Sequence, residues 1–160
     1  MSTTLRPMSA DRIPVWVEEC TRVYIEELVA AGRTREDAIA NAAQGIGRAF
    51  PDGSPAPGHA VFDVLDDVNQ CVGYLWVGPD ASDDPHAWWV WDIAIDADKR
   101  GHGHGRAAML LGEDHARRQG ARTLGLNVFG SNAVARGLYE KLGYETTALQ
   151  MRKLLGPNGD

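Results

Sequence analysis

A chain of 160 residues has the length of one domain, and its 44% apolar and 24% charged shares supply a packed core and exclude a disordered or collagen-like chain. The net charge of −6 and pI near 5.3 repel phosphate backbones, so nucleic acid is not an expected partner; the same acidity suits a soluble surface or cationic small molecules and basic protein tails. Cys20 and Cys71 form no CxxC pair, and there is no apolar run of signal-peptide or membrane-spanning length. The expectation is a cytoplasmic protein with reduced thiols and no membrane contact.

Residues Thr3 to Pro7 predict a short strand. Ser9 or Asp11 then offers an N-cap for an amphipathic helix to about Ala31, which Gly32 ends. Thr34 and Asp37 stand at capping-box spacing and open a second helix to about Phe50. The Pro- and Gly-rich run from Pro51 to Gly58 is a loop, and Ala60 to Leu65 and Cys71 to Val77 read as a hairpin. A strand from about Ala87 to Ile95 follows. Beyond it the pattern alternates: helix from Gly105 to Gln119, strand from Arg122 to Val128, helix from Asn132 to Leu142, strand from Tyr144 to about Lys153. The order β-α-α-β-β-β-α-β-α-β describes a mixed α/β fold, with residues 1–155 as a single domain and residues 156–160 as a frayed tail.

Between the strand ending at Ile95 and the apolar helix beginning near Ala107 stands Arg100-Gly-His-Gly-His-Gly-Arg106. Glycines at 101, 103 and 105 let the backbone approach a ligand, and the first-turn N–H groups of the helix point at whatever lies there, which makes an anion site. Arg100 and Arg106 add the positive charge that a diphosphate needs. A Walker loop would require GxxxxGK[ST], which is absent. The run Gly103-x-Gly105-x-x-Ala108 formally fits a dinucleotide fingerprint, but Leu124-Gly-Leu-Asn127 stands where its acidic residue belongs. His102 and His104 lack a nearby carboxylate cluster and read as exposed loop histidines, so no metal is called for.

The run Arg100-x-x-Gly103-x-Gly105 resembles the acetyl-CoA pyrophosphate loop of the GNAT superfamily of N-acetyltransferases, written [RQ]xxGx[GA]. Asn132-Ala-Val-Ala-Arg-Gly-Leu-Tyr-Glu-Lys-Leu-Gly-Tyr144 resembles that superfamily's second signature, and the resemblance covers the chain in element order. It implies a GNAT-like fold, with a central, mostly antiparallel sheet and helices on both faces. It also implies acetyl-CoA as acyl donor, held by the loop residues Arg100, Gly101, His102, Gly103, His104, Gly105 and Arg106. The family commonly breaks its strand pairing where Ile93, Ala94 and Ile95 fall here, to hold the pantetheine and the acetyl carbonyl. Asn132 takes the position of the residue that bonds the pantetheine, and Tyr139 that of the tyrosine that protonates the departing sulfur. Arg136 joins the cofactor side of the same helix. Helical geometry puts Asn132, Arg136 and Tyr139 on one side and Val134, Leu138 and Leu142 on the opposite, core side. A phenol, protonated at neutral pH, suits donation to a thiolate.

The nearly continuous apolar strand Trp88-Trp-Val-Trp-Asp-Ile-Ala-Ile95 is interrupted by Asp92. Its carboxylate either meets an arginine or faces a wet cleft, where it is the candidate base for an amine arriving as ammonium; some family members use a water chain instead. Tyr24 and Glu27 on the first helix, Asn127 and the loop around His59 are the candidates to line the acceptor pocket. The expected activity is acetyl transfer from acetyl-CoA to a primary amine of a small molecule or a protein by direct attack. The alternative is a CoA-binding sensor module without turnover. Open sheet edges leave room for a homodimer.

Overall fold

The computed structural model describes residues 2–157; the tail expected to fray therefore lies partly outside the described residues. The elements run β1 (Thr4–Pro7), α1 (Ile13–Ala30), α2 (Arg35–Ala49), β2 (Ala60–Leu65), β3 (Cys71–Pro79), β4 (Ala87–Ile95), α3 (His104–Arg118), β5 (Thr123–Leu126) and α4 (Ala133–Lys141), with a short 3-10 turn at Ala97–Lys99. The mixed α/β class expected from the sequence is the class found. The chain divides after Asn127 into two compact units.

In the first unit the five strands form one sheet in sequential order, antiparallel except for the β4·β5 pair. Alternation along β3 sends Tyr74 and Trp76 to one face and Leu75 and Val77 to the other. On the first face α1 and α2 bury Ile13, Trp16, Cys20, Ile46 and Ala49 against Val61 and Trp76. On the second face lies α3: Gly112 lets this helix approach so closely that a Cβ there would stand 2.8 Å from Leu75 Cδ2. His115 of α3 meets the rings of Phe62 and Trp88 edge-on. No helix among the described residues is long and apolar enough to cross a membrane.

Local rules account for most of the ends. Thr34 Oγ1 accepts from Asp37 N, the cap expected for α2. For α1 the expected caps are not used: the N-cap is Arg12, without a side-chain cap, and Pro14 stands in the first turn, where its missing N–H costs nothing. Arg12 is instead engaged elsewhere. Its Nη1 donates to both oxygens of Asp63, at 2.7 and 2.8 Å, while Arg6 Nη2 donates to Oδ2 at 2.9 Å. Asp63 is 1% exposed, and this double guanidinium pairing is what makes a carboxylate tolerable on a strand interior. It ties β1 and the start of α1 to β2.

In the second unit Asn132 Oδ1 caps α4 by accepting from Ala135 N at 3.2 Å. The expected core side of this helix is not buried: α4 has no buried residue, and Val134 is 88% exposed. The strand expected from Tyr144 to about Lys153 is also not formed; these residues make no strand and carry Leu149 and Met151 exposed. The run mixes apolar and polar residues without strict alternation, and such a run becomes a strand only where a neighbour supplies the ladder.

Candidate active site

The site is organised by an irregularity in β4. The β3·β4 register pairs Trp76 with Asp92 but Val77 with Val90, so two residues, Trp91 and Asp92, stand opposite one. Without this bulge Asp92 would alternate to the α3 face; with it, Trp91 and Asp92 lie side by side on the α1 face. Trp91 is fixed by stacking on Trp76, with centroids 5.5 Å apart, and by donating from Nε1 to Pro79 O at 3.1 Å.

Asp92 Oδ2 accepts two hydrogen bonds, from Tyr74 Oη at 2.7 Å and from Cys20 Sγ at 3.3 Å. Neither donor is a cation, so the expected alternative of an arginine pair is not what holds this carboxylate. Burial, with the negative charge of Asp92 beside them, pushes the pKa of both Tyr74 and Cys20 far upward, which keeps them protonated as donors. Both bonds fall on the same oxygen, so Oδ2 is the oriented one and, among the described residues, no hydrogen bond engages Oδ1, which is the oxygen left to take a proton. Tyr74 and Cys20 are the site residues that sequence reasoning did not identify. Their signal was the shared face of Tyr74 and Trp76 on β3, but the bulge conceals which β4 residue that face meets.

Aromatic rings wall this side. Trp16 packs edge-on against Tyr74, Trp76 and Phe50 at centroid distances of 5.3, 5.7 and 5.5 Å. Its Nε1 is buried without a hydrogen-bond partner among the described residues. His59 Nδ1 accepts from Trp76 Nε1 at 3.0 Å, which leaves the neutral ring with its proton on Nε2, and burial lowers the His59 pKa. Tyr24 is half-buried on α1 and donates to Asn41 Oδ1 at 3.0 Å. Glu27 is exposed on the same helix; the protein around its carboxyl nevertheless raises its pKa, and the charge of Asp92 adds to the rise. Asn127 is exposed beyond the end of β5.

Past the bulge, β4 loses its second neighbour. Its pairing with β5 stops at Val90↔Leu126, so Trp91 to Ile95 have a strand on one edge only. Asp96 N donates to Val72 O at 2.8 Å, and because alternate pairs bond in an antiparallel ladder, the backbone groups of Ile93 and Ile95 face the uncovered edge. Arg100 Nε indeed reaches Ile95 O there, at 2.9 Å. That edge leads into the glycine turn. Gly101 and Gly103 adopt φ of +80° and +84°, and a Cβ at either would point into open space. Gly103 is the N-cap of α3, and no side chain caps the helix. The first-turn N–H groups of a fifteen-residue helix, with Arg106 exposed beside them, fit an anionic diphosphate.

His102 is exposed as expected, but His104 is not a loop histidine: it is the first residue of α3, is 5% exposed, and shares a 3.0 Å hydrogen bond between Nδ1 and Thr3 Oγ1. In the second unit Arg136 Nη1 donates to Gly130 O at 3.3 Å, and Tyr139 stands edge-on to Tyr144 with centroids 6.1 Å apart. A cavity of about 360 Å³ lined by Thr4, Phe62, His115 and Arg118 lies on the α3 face of the sheet, away from Asp92.

Known proteins similar to this chain are found by sequence and by structure. The uncharacterized N-acetyltransferase YycN of Bacillus subtilis is 30% identical over 156 residues, covering 97% of this chain and 100% of YycN. Its crystal structure matches with a TM-score of 0.84 over 96% of this chain and 99% of that one. Part of the chain resembles the mycothiol acetyltransferase of Kocuria rhizophila, 33% identical over 49% of this chain and 27% of that protein. The fold also matches aminoglycoside N-acetyltransferase AAC(6')-Iy, solved in complex with CoA, with a TM-score of 0.58 at 13% identity over 96% of this chain and 94% of that one. The model of the Acetyltransferase (GNAT) family matches residues 18–144, across both compact units, and the chain belongs to that family as an acetyltransferase enzyme.

Proposed function

We propose that this protein transfers an acetyl group from acetyl-CoA to a primary amine of a small molecule or a protein, by direct attack in a ternary complex, with residues 1–155 acting as one domain in the cytoplasm. The observation that carries this reading is the continuity of the β4 bulge at Asp92, the uncovered edge at Ile93 and Ile95, and the uncapped start of α3. Base, backbone donors and anion site follow one another along one stretch of chain.

Bound acetyl-CoA would supply an activated acyl group as its thioester. Gly101, His102, Gly103, His104 and Gly105 offer backbone to the pyrophosphate, with His104 acting through its main chain because its ring is turned to Thr3. Arg100 and Arg106 add charge. The backbone of Ile93, Ala94 and Ile95 orients the pantetheine and the acyl carbonyl, an N–H directed at developing negative charge being the stabilising device. Asp92 takes the proton that the acceptor ammonium must lose. Tyr24, Glu27 and Asn127 are proposed for the acceptor. The family resemblance assigns Asn132 and Arg136 to the cofactor and Tyr139 to proton donation toward the leaving sulfur.

The test combines a thermal-shift titration with thiol release over an amine panel. Acetyl-CoA at a hundredfold excess over Kd stabilises by about 2.7 kcal/mol, and Gly105→Val is expected to abolish the shift by blocking the helix N–H groups. Tyr139→Phe is expected to retain the shift but to lose roughly 10²- to 10⁴-fold in turnover, the usual loss of a general acid. Wild-type turnover in Tyr139→Phe would remove the tyrosine from the mechanism, and an undiminished shift in Gly105→Val would remove the loop.

A further inference from the structure

Helix α1 presents Trp16, Cys20, Tyr24 and Glu27 at successive spacings of four, four and three, so they form one stripe along the helix. Cys20 marks the level of Asp92, because its thiol donates to Asp92 Oδ2 at 3.3 Å. Glu27 lies seven residues further on, a displacement of about 10 Å along the axis. Tyr24 stands between them, its hydroxyl tied to Asn41 Oδ1 and its ring half-buried against the core under α1.

The two carboxylates share a deficit of positive charge. Glu19 is paired with Arg22 and Glu26 with Arg35, whereas Glu27 has no cationic partner among the described residues. Asp92 likewise makes no ion pair there and is held by the neutral donors Tyr74 and Cys20. Arg33, whose charge reaches Tyr24, is itself bound to Asp37 at 2.7 Å. Two carboxylates without cationic partners among the described residues, Asp92 of β4 at the level of Cys20 and Glu27 two turns further along α1, with the Tyr24 ring between those levels, match a ligand having two cations joined by a methylene chain.

We propose that the acceptor is a dication, an alkyl diamine or polyamine whose reactive nitrogen meets Asp92 while a second ammonium is held by Glu27. This rests on the acetyltransferase reading above. Transfer forms the bond between the reactive nitrogen and the acetyl carbon and breaks the bond between that carbon and sulfur. Of the two protons the reactive ammonium loses, one passes to Asp92 and on to solvent, and the other ends on the thiol of free CoA. The second ammonium keeps its proton throughout, so Glu27 acts in binding and not in chemistry.

The experiment measures thiol release from acetyl-CoA with putrescine, cadaverine and hexamethylenediamine, each beside the monoamine of the same carbon number, and identifies products by mass. A diamine is expected to exceed its monoamine at least tenfold in kcat/KM. Glu27→Gln, a change at an exposed side chain, is expected to collapse that ratio through a higher KM for the diamine while kcat for the diamine holds. Equal use of diamines and monoamines by the wild type, or a ratio indifferent to Glu27→Gln, would overturn the proposal while leaving amine acetylation intact. Absence of thiol release with every amine would overturn the acetyltransferase reading and this proposal with it.

Discussion

Gly73→Ala tests the strand crossing on which the site depends. A Cβ at residue 73 would stand 2.1 Å from Ala94 O and 3.0 Å from both Ile95 Cα and Cδ1. Ordinary carbon–oxygen approach ends at about 3.3 Å, so β3 and β4 must part by roughly an ångström. The offending atom is backbone and cannot turn aside, because Tyr74 pairs with Ala94 and Asp96 N is bonded to Val72 O on the next rung. Overpacking costs about 1–3 kcal/mol and each strained ladder bond about 1 kcal/mol more, which gives a loss of roughly 3–5 kcal/mol. In urea, with a slope of about 1–3 kcal/mol per molar, the midpoint should fall by more than ~1 M. Gly47→Ala is the matched control: its Cβ would meet nothing within 4 Å on an exposed position of α2, and it should gain about 0.5–1 kcal/mol. Turnover of Gly73→Ala should fall as well, since displacement of Ala94 moves its neighbours Ile93 and Asp92. A Gly73→Ala protein within ~0.5 kcal/mol of wild type would refute the close crossing and the register drawn from it.

Tyr74→Phe removes a charge-assisted hydrogen bond to Asp92 worth about 1.5 kcal/mol or more and should lower kcat about tenfold; thiol release measures it, and an unchanged kcat would show that Asp92 needs no such partner. Asp63→Asn leaves two guanidinium groups without their buried counter-charge. Because both arginines are about half exposed, the loss should be ~2–3 kcal/mol in denaturant unfolding, below that of a fully buried pair. The His59 pKa is lowered in the fold from 6.5, so below that value the unfolded chain takes up a proton that the folded chain refuses, and stability falls as pH drops toward the lowered pKa. His59→Gln, which keeps an acceptor for Trp76 Nε1, should flatten that decline as pH falls below about 6.5; His115, lowered in the same direction, contributes in the same sense.

The glycine turn was legible because its requirement is a backbone one: positive φ at Gly101 and Gly103 can be read directly from residue type and position. The Thr34 cap was legible for the same reason, a local bond between residues three apart. The β4 bulge was not. Alternation assigns a face to each residue only while the count is unbroken, and an aromatic-rich run such as Trp88 to Trp91 carries no polar residue to reveal where it breaks. Asp92 could therefore be named from its type, but not the helix it would meet or the donors, Tyr74 and Cys20, that would hold it. His104 shows the same limit at greater range, since its burial depends on Thr3, 101 residues away in the chain. In the second unit the spacing of Val134 and Leu138 predicts a core side, and the run after Tyr144 a strand; sequence pattern alone supplies neither a covering surface nor a partner ladder.

The hydrogen bond between Thr3 and His104 has a practical meaning for anyone handling this protein. It fastens Thr3 to the first turn of α3, the turn proposed above for the cofactor's phosphates, so a purification tag fused close ahead of Thr3 is expected to pull on that turn. Affinities for CoA compounds should be taken from protein with the tag placed at the other terminus, and a Thr3→Val protein gives the size of the disturbance to be expected when that fastening is lost.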